Sequence, residues 1–257
     1  MKEALDNMLE IKNLDVSVED KQIIKNLNLK IGPGEVHAIM GPNGSGKSTI
    51  AHTLAGKPNY LVEAGNVDFK NEDLIAKDPY ERSLLGLFLA FQYPIELPGV
   101  TNASYLKQIL NAHRKSRGEN PIDAGEFLKI LKEKSRNLNI PMEMHSRFVN
   151  AGFSGGEKKK NEVLQMDLLD PSLIIMDETD SGLDVDALKS TSEAVNKRRD
   201  GKRSFLIITH YLRLLEYIEP DHVHVFGDGS IIESGDKSLA SRIDNEGYEV
   251  KWSQLAL

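Results

Sequence analysis

Residues 41–49 constrain the fold of this chain more than any other part of its sequence. They read Gly41-Pro42-Asn43-Gly44-Ser45-Gly46-Lys47-Ser48-Thr49 and match the pattern G-x-x-x-x-G-K-[S/T] at every defined position. An apolar run typical of a strand, residues 36–40, precedes the motif, and a run typical of a helix, residues 50–54, follows it. A strand, a glycine loop and a helix N-terminus in this order can hold phosphate groups. A glycine-rich turn without a ligand is the alternative, and the complete motif in this context disfavours it.

Each part of the loop has a physical reason to bind a triphosphate. The glycines allow the backbone N–H groups of residues 43–48 to converge on a phosphate, and the helix N-terminus adds about half a positive charge. Lys47 can reach the β- and γ-phosphates, and the Ser48 hydroxyl can be a ligand of Mg²⁺. The sequence therefore predicts that this chain binds a nucleoside triphosphate.

The composition disfavours several other classes of function. The formal net charge is −7 and no strongly basic block occurs, which argues against nucleic acid as a partner. The longest apolar run, residues 84–91, is far shorter than the roughly 20 residues that cross a bilayer. The chain has no cysteine, so it cannot itself form disulfides or hold a thiolate-ligated metal or iron–sulfur cluster. The first six residues lack the apolar core of a signal peptide, and we expect a cytoplasmic protein.

The pattern of apolar residues changes along the chain. Alternation over residues 9–31 predicts a β-hairpin or a β-meander, and residues 65–69 and 87–91 are further predicted strands, the last of them buried. Helical patterns dominate from about residue 97 to residue 150. Strands and helices then alternate up to residue 234, which favours an α/β fold with a largely parallel sheet covered on both faces.

Polar residues follow two of the predicted strands in positions that suit phosphate chemistry. Asp177 and Glu178 end the apolar run 173–176, so Asp177 could hold Mg²⁺ and Glu178 could act as a general base towards water. Two solvated acids at a strand end are the alternative. Gln92 follows the strand at 87–91 and could bind Mg²⁺ or the attacking water, or could be a surface amide. His210 follows the strand at 204–209 and could contact the γ-phosphate.

A second candidate anion site lies at Ser154-Gly155-Gly156-Glu157, before a helix predicted over residues 158–169. It offers a hydroxyl and backbone amides at a helix N-terminus. One triphosphate does not ordinarily need two such sites on one chain. Two copies of the chain facing head to tail would need both.

Together with Ser181-Gly182-Leu183-Asp184, these motifs occur in an order that resembles the ABC-type ATPases over about residues 8–240. Residues 91–100, 152–160 and 180–188 are similar to the SufC family, the ATPase subunits of SUF iron–sulfur cluster assembly. The resemblance implies an ATP hydrolase with ATP and Mg²⁺, SufB-like and SufD-like scaffold partners, and a transient self-dimer with ATP. Head-to-tail dimerisation would drive conformational change in the scaffold. The ATP-binding subunit of a membrane ABC transporter would carry the same motifs and stays the alternative.

The resemblance also implies a fold and a set of roles. It implies a P-loop NTPase fold of ABC type, with an antiparallel β subdomain and an inserted helical subdomain. The single domain, residues 1–257, would comprise a core at 8–96 and 163–242, a helical subdomain with the signature motif at 97–162, and a C-terminal tail at 243–257. The implied roles are Lys47, Glu178 and His210 in catalysis; Ser48, Gln92 and Asp177 on Mg²⁺; residues 41–49 on the nucleotide; Ser154, Gly155, Gly156 and Glu157 as the signature acting in trans; and Ser181, Gly182, Leu183 and Asp184 as the D-loop.

The sequence departs from the family pattern at three places. Residues 16–19 lack the aromatic residue that commonly stacks on adenine, so we expect weak base stacking there. Glu157 stands where glutamine is usual and adds negative charge beside the expected phosphate. Asp180 follows the presumed base in place of threonine. We expect Asp180 to pair with a lysine of the 158–160 triplet and to slow idle hydrolysis, although the triplet could be a solvated helix face.

Two further segments have an open interpretation. His222 and His224 lie on one face of a predicted strand and could bind a metal, but the neighbouring sequence supplies no third ligand. Residues 93–100, Tyr-Pro-Ile-Glu-Leu-Pro-Gly-Val, could simply be a loop that ends the preceding strand. Since they follow Gln92, they could instead be a surface that docks a partner.

Overall fold

The computed structural model describes residues 7–179 and 185–248, and these form two compact units. The first unit comprises the described residues up to Gln92, those from Ser172 to Thr179, and those from Val195 onward. The second comprises Tyr93–Pro171 and the described residues up to Ala194. Within the described parts of the chain, no helix combines the length and the apolar character needed to cross a bilayer.

Twelve strands and eight α-helices occur among the described residues. The strands are β1 Leu9–Val18, β2 Lys21–Ile31, β3 Val36–Met40, β4 Tyr60–Phe69, β5 Glu72–Asp73, β6 Leu87–Ala90, β7 Leu97–Thr101, β8 Phe148–Val149, β9 Leu173–Asp177, β10 Ser204–Ile208, β11 His222–Gly227 and β12 Ser230–Gly235. The helices are α1 Lys47–Ala55, α2 Pro79–Leu84, α3 Asn102–Ser116, α4 Ala124–Asn137, α5 Gly155–Leu169, α6 Val185–Asn196, α7 Leu212–Tyr217 and α8 Lys237–Glu246.

The first unit is built on a six-stranded sheet with the order β12-β11-β3-β10-β9-β6. Neighbouring strands are parallel except at the edge, where β12 runs antiparallel to β11. Every residue of β3, β9 and β10 is buried, as the continuous apolar runs predict for strands covered on both faces. The largely parallel sheet and the α/β fold are confirmed. The strand predicted at 87–91 is only partly buried: Leu87 and Ala90 are buried, whereas Phe91 lies past its end and is exposed.

A second, antiparallel sheet in this unit has the order β2-β1-β4-β5. Of the two predicted arrangements for residues 9–31, the structure has the hairpin, because β1 and β2 pair across a two-residue turn at Glu19 and Asp20. Both turn residues have positive φ, 49° and 60°, the backbone geometry that a right-twisted two-residue hairpin requires. Apolar residues of this sheet pack in one core with Ile50 and Leu54 of α1, which fixes the helix that follows the glycine loop.

The second unit is mainly helical, as the patterns at 97–150 predict. Leu106 and Leu110 of α3 share a buried cluster with Phe127 and Leu131 of α4 and with Leu164 of α5. The short antiparallel ribbon of β7 and β8 has no signal in the sequence. Helix α5 begins at Gly155, three residues before the predicted start, so the predicted boundary at residue 162 lies inside it. Likewise α8 continues to Glu246, and the first residues of the predicted tail are helical.

A chain of buried polar side chains joins the elements of the second unit. Asn102 Nδ2 donates to Asn161 Oδ1 (2.8 Å) and to His145 Nδ1 (3.1 Å). Asn161 in turn donates to Asn150 (3.1 Å), and Asn150 donates to the carbonyl of Ile95 (2.8 Å). Unsatisfied polar groups are costly when buried, so these bonds fix α5 and the segment around Ile95 to the same network.

Candidate nucleotide-binding site

The glycine loop joins β3 to α1, in the arrangement that the sequence predicts. Gly46 caps the helix with φ of 104°, a conformation that residues with a Cβ rarely adopt. At Gly41 a Cβ would lie 2.2 Å from the carbonyl oxygen of Phe226, so only glycine fits beside β11. The loop therefore depends on glycine for both its curvature and its close packing.

Lys47 is the first residue of α1 and is 4% exposed. Its Nζ donates to the carbonyls of Gly41 and Pro42, both at 2.8 Å, and lies 4.0 Å from Glu178 Oε1. Burial lowers the pKa of Lys47, and the carboxylates of Glu178 and Asp177 oppose that shift. An ammonium has three N–H donors, so Lys47 can brace the loop and still donate to a phosphate oxygen.

Ser48 and Asp177 meet although they are far apart in sequence. Ser48 Oγ donates to Asp177 Oδ1 at 2.9 Å, and Asp177 is buried at the carboxyl end of β9. His52, one turn after Ser48 on α1, places Nε2 4.0 Å from Asp177 Oδ2. No sequence motif singles out His52, although its i+4 spacing from Ser48 places both on one helix face.

The carboxylate of Glu178 lies where three other predicted residues converge. Gln92 Nε2 donates to Glu178 Oε2 at 3.0 Å, and Lys47 Nζ lies 4.0 Å from Oε1. His210 Nδ1 is 3.5 Å from Oε1 and forms no hydrogen bond. Glu178 itself has φ of 44°, so its backbone occupies the strained left-handed region, which is frequent at functional sites.

Several buried polar atoms at this site have no protein partner. Among the described residues, five buried side-chain N or O atoms lack a hydrogen bond, and three of them belong to Ser45, Thr179 and His210. Ser45 is in the glycine loop, and the other two follow β9 and β10. Because buried polar groups are normally satisfied, these atoms indicate a polar ligand here.

A cavity of about 340 Å³ lies beside Thr49, the last residue of the loop motif. Tyr60, the first residue of β4, lines it, and its hydroxyl shares a 2.9 Å hydrogen bond with His52 Nδ1. Residues 16–19 supply no aromatic side chain, and the expectation of weak base stacking rests on them alone. It leaves out the ring of Tyr60, which β4 brings from a distant part of the sequence. The lining residues are Val18, Glu19, Lys21, Ile23, Thr49 and Tyr60.

The second predicted anion site belongs to the second unit. Ser154 caps α5: its Oγ accepts from Glu157 N at 3.2 Å, and the Glu157 carboxylate accepts from Ser154 N at 2.8 Å. Glutamate and glutamine both complete this capping box, which explains why glutamate is tolerated here. Arg147, which no sequence motif singles out, lies 3.6 Å from the Glu157 carboxylate and partly offsets its charge.

The lysine triplet is not a uniformly solvated helix face. Lys158 pairs with Glu96 at 2.9 Å, whereas Lys159 is buried and pairs with Glu162 at 3.0 Å. Asp180, its expected partner, and the D-loop residues 181–184 lie outside the described residues.

The model of the ABC transporter family matches residues 24–181. The chain belongs to the ABC transporter family. Within this ABC transporter family, the probable ATP-dependent transporter SufC of Escherichia coli (strain K12) is 54% identical over 241 residues, 94% of this chain and 97% of the relative. The probable ATP-dependent transporter ycf16 of Antithamnion sp. is 50% identical over 242 residues, 94% of this chain and 96% of the relative.

A solved structure shares the fold of this ABC transporter family member. The ADP conformation of MJ1267, an ATP-binding cassette of an ABC transporter, superimposes with a TM-score of 0.75 at 25% identity, covering 95% of this chain and 97% of that chain. The chain is therefore a SufC-like ABC ATPase with an ATP-binding P-loop core.

Proposed function

We propose that ATP hydrolysis by this chain drives conformational change in a SufB-like and SufD-like scaffold during cytoplasmic iron–sulfur cluster assembly. The convergence of Lys47, Gln92 and His210 on the Glu178 carboxylate carries the catalytic part of this proposal. Glu178 accepts a proton as water attacks the γ-phosphorus, the bond to the bridging oxygen breaks, and ADP leaves. Lys47 and the amides of residues 43–48 stabilise the charge on the phosphates, and His210 positions the attack.

The donor set also fits Mg²⁺. A hydroxyl and a carboxylate in contact, Ser48 and Asp177, are hard oxygen ligands of the kind that Mg²⁺ prefers. The amide oxygen of Gln92 is the third ligand in the proposal, although the contact in the structure runs from its amide nitrogen to Glu178. When bound, Mg²⁺ neutralises phosphate charge.

The signature residues Ser154, Gly155, Gly156 and Glu157 act on the site of a second copy in this proposal. They begin a 15-residue helix, whose N-terminus favours anions. Arg147 reduces the unfavourable charge of Glu157 there. ATP would then join two copies head to tail, with one nucleotide between each loop and the partner's signature.

We propose that residues 93–100, the docking strip, bind the scaffold. Tyr93 and Ile95 are 76% and 62% exposed, unusually high for large apolar side chains. Phe148, paired across the ribbon with Thr101, is also exposed, and Asn150 holds the carbonyl of Ile95 in the buried polar network. Rigid backbone with exposed aromatic and aliphatic side chains is typical of interface anchors. The identity to the SufC relative supports the choice of partner.

The double variant Tyr93→Ala with Ile95→Asp tests the docking strip. We expect scaffold binding to weaken at least tenfold, because two apolar anchors are lost, while ATP affinity stays unchanged. Calorimetry with ATP and with the SufB/SufD-like scaffold measures each separately. The matched control is Tyr80→Ala with Leu128→Asp, which alters two other exposed apolar residues. Normal scaffold affinity in the first variant would place docking elsewhere, and lost ATP binding would indicate misfolding.

A membrane transporter subunit is the second candidate, because the names of both curated relatives contain "transporter". The two candidates differ in their partner. Affinity purification of the full chain from detergent-treated cells should recover the scaffold proteins and no membrane-spanning protein. Stoichiometric recovery of a membrane-spanning protein would favour the transporter.

A further inference from the structure

A cluster of metal-binding side chains lies in the first unit, away from the glycine loop. Glu35 precedes β3, His37 is its second residue, and His222 begins the neighbouring parallel strand β11. His37 and His222 are partners in the strand register, and one ligand atom from each of the three residues lies within 4.8 Å of the others. The cluster is at the amino end of β3, whereas the glycine loop follows the carboxyl end. It is therefore separate from the Ser48–Asp177 pair.

The distances in the cluster suit a small cation. Ligand atoms about 2.1 Å from a tetrahedral Zn²⁺ are about 3.4 Å apart. His37 Nε2 is 2.9 Å from Glu35 Oε2, His222 Nε2 is 3.9 Å from Glu35 Oε1, and one ligand atom of each residue lies within 4.8 Å of the others. Side-chain rotations that close the longer gaps bring all three to that spacing. Zn²⁺ and neighbouring first-row cations bind a set of two imidazoles and one carboxylate more strongly than Mg²⁺ does.

His224 lies behind the cluster and can orient His37. His37 Nδ1 and His224 Nε2 are 2.9 Å apart, and His224 Nδ1 is 2.7 Å from Ser234 Oγ. An imidazole pair joined in this way has one donor and one acceptor, so at least one of the two rings is neutral. With a cation on His37 Nε2, the Nδ1–H of His37 donates to His224, and the Nδ1–H of His224 donates to Ser234. Metal-bound histidines are commonly oriented by such an outer partner.

Burial differs across the cluster in a way that suits metal access. His37 is 3% exposed at the side chain, whereas the side chains of Glu35 and His222 are 39% and 49% exposed. A cation can thus enter from solvent and reach a fixed inner ligand. The sequence spacing pairs His222 with His224, but the structure instead groups His222 with two residues nearly 190 positions earlier.

We propose that Glu35, His37 and His222 bind one first-row divalent cation, best matched by Zn²⁺, with His224 as a positioning residue. His37 lies on β3, His222 on β11, and Glu35 directly before β3, so the cation ties β3 to β11. Three protein ligands leave a further coordination position for water.

Titration of the metal-free full chain with Zn²⁺ and with Co²⁺ tests this site, in excess Mg²⁺ and without nucleotide. We expect one Zn²⁺ per chain by calorimetry and a visible Co²⁺ absorption band that Zn²⁺ abolishes. His222→Ala, at an exposed position, and Glu35→Gln should each lower Zn²⁺ affinity at least tenfold. Glu216→Gln is the matched control, since it makes the same substitution at an exposed position outside the cluster, and should leave affinity unchanged.

Nitrogen NMR of the histidine rings gives a second readout. Because the Glu35 carboxylate can only accept, His37 Nε2 carries the ring proton in the metal-free protein, and Zn²⁺ should move that proton to Nδ1. His224→Gln should weaken Zn²⁺ binding about tenfold or more, as loss of an outer partner does elsewhere. Unchanged Zn²⁺ affinity in His222→Ala would overturn the proposal. So would binding that persists in both cluster variants and disappears in Asp177→Asn, because the ion would then be at the phosphate site.

Discussion

Glu178 combines an unusual backbone with a crowded carboxylate. Its N–H donates to the carbonyl of Ile208 at 2.8 Å, which holds the left-handed residue against the end of β10. Its two carboxylate oxygens face different neighbours: Oε2 accepts from Gln92, and Oε1 faces Lys47 and His210. The side chain is thus positioned from both sides, as a general base requires.

Glu178→Gln should retain ATP binding and lose hydrolysis. The amide keeps the volume of the side chain but cannot accept the proton, and loss of a positioned base costs about 10²–10⁴-fold in rate. Lys47→Ala should lose turnover by weakening phosphate binding, so the two variants separate binding from chemistry. Phosphate release and calorimetry with ATP measure both. A parental hydrolysis rate in Glu178→Gln would refute the assignment of the base.

Tyr60 should contribute to nucleotide affinity through its ring. The cavity that it lines adjoins Thr49, and stacking of a base on an aromatic ring is worth about 1–3 kcal/mol. Tyr60→Ala should therefore raise the Kd for ATP about 5- to 150-fold. Tyr60→Phe keeps the ring but removes the hydrogen bond to His52, and should change the Kd much less. Equal losses in both variants would assign the effect to the hydroxyl instead.

Among the secondary-structure elements, α5 has two roles, one at its N-terminus and one at a buried residue further along the helix. Its first residues form the capped N-terminus with Ser154 and Glu157, and Asn161, two turns later, lies in the buried polar network. That network continues through Asn150 to the backbone of the docking strip. A shift of α5 would therefore change hydrogen bonds that hold the strip.

The helical unit should lose stability at mildly acidic pH through His145. Burial lowers the pKa of His145 below its ordinary value of 6.5. Its Nδ1 accepts from Asn102, and its Nε2 contacts Ser135 at 2.8 Å, so the network requires the neutral ring. The unfolded chain binds the proton first as pH falls, so this stability is full above about pH 6.5 and declines below it.

Urea unfolding monitored in the helical unit between pH 8 and pH 5 measures this effect. His145→Gln removes the titrating group, so it should lower stability at pH 8 but flatten the decline towards pH 5. A decline as steep as that of the parent protein would show that other groups cause it.

At the scale of the whole molecule, the two predicted anion sites belong to different compact units. The glycine loop is in the first unit, and Ser154–Glu157 is in the second. The formal charge of −7 opposes association of two copies, apart from any contribution of bound cations. Nucleotide must supply the attraction if two copies close on each other.

ATP should therefore produce dimers most clearly in Glu178→Gln, which binds nucleotide without consuming it. We expect light scattering to detect dimers with ATP and monomers with ADP, and addition of the scaffold to increase the dimer fraction. Lys47→Ala in the same background is the control and should stay monomeric. Absence of an ATP-dependent dimer even with scaffold would contradict the role of the signature in trans.

Local sequence patterns predict the fold and the loop well, and distant contacts account for what they miss. The motif at residues 41–49 and the fully apolar strands indicate β3, α1 and the parallel sheet, because each signal lies within one element. Tyr60, Arg147 and the Glu35–His37–His222 cluster depend on which strands and turns become neighbours. No spacing in the sequence encodes those contacts. The β7–β8 ribbon is missed for the same reason.

The left-handed backbone of Glu178 also bears on how this protein can evolve. A non-glycine residue in that conformation costs about 1–2 kcal/mol, a substantial part of the stability margin of a typical domain. Glycine would relieve the strain but would remove the carboxylate. Selection for thermal tolerance alone would therefore favour substitutions that sacrifice turnover at this position, and only selection for hydrolysis keeps the acid. Stabilised descendants that remain active must gain their stability elsewhere in the fold.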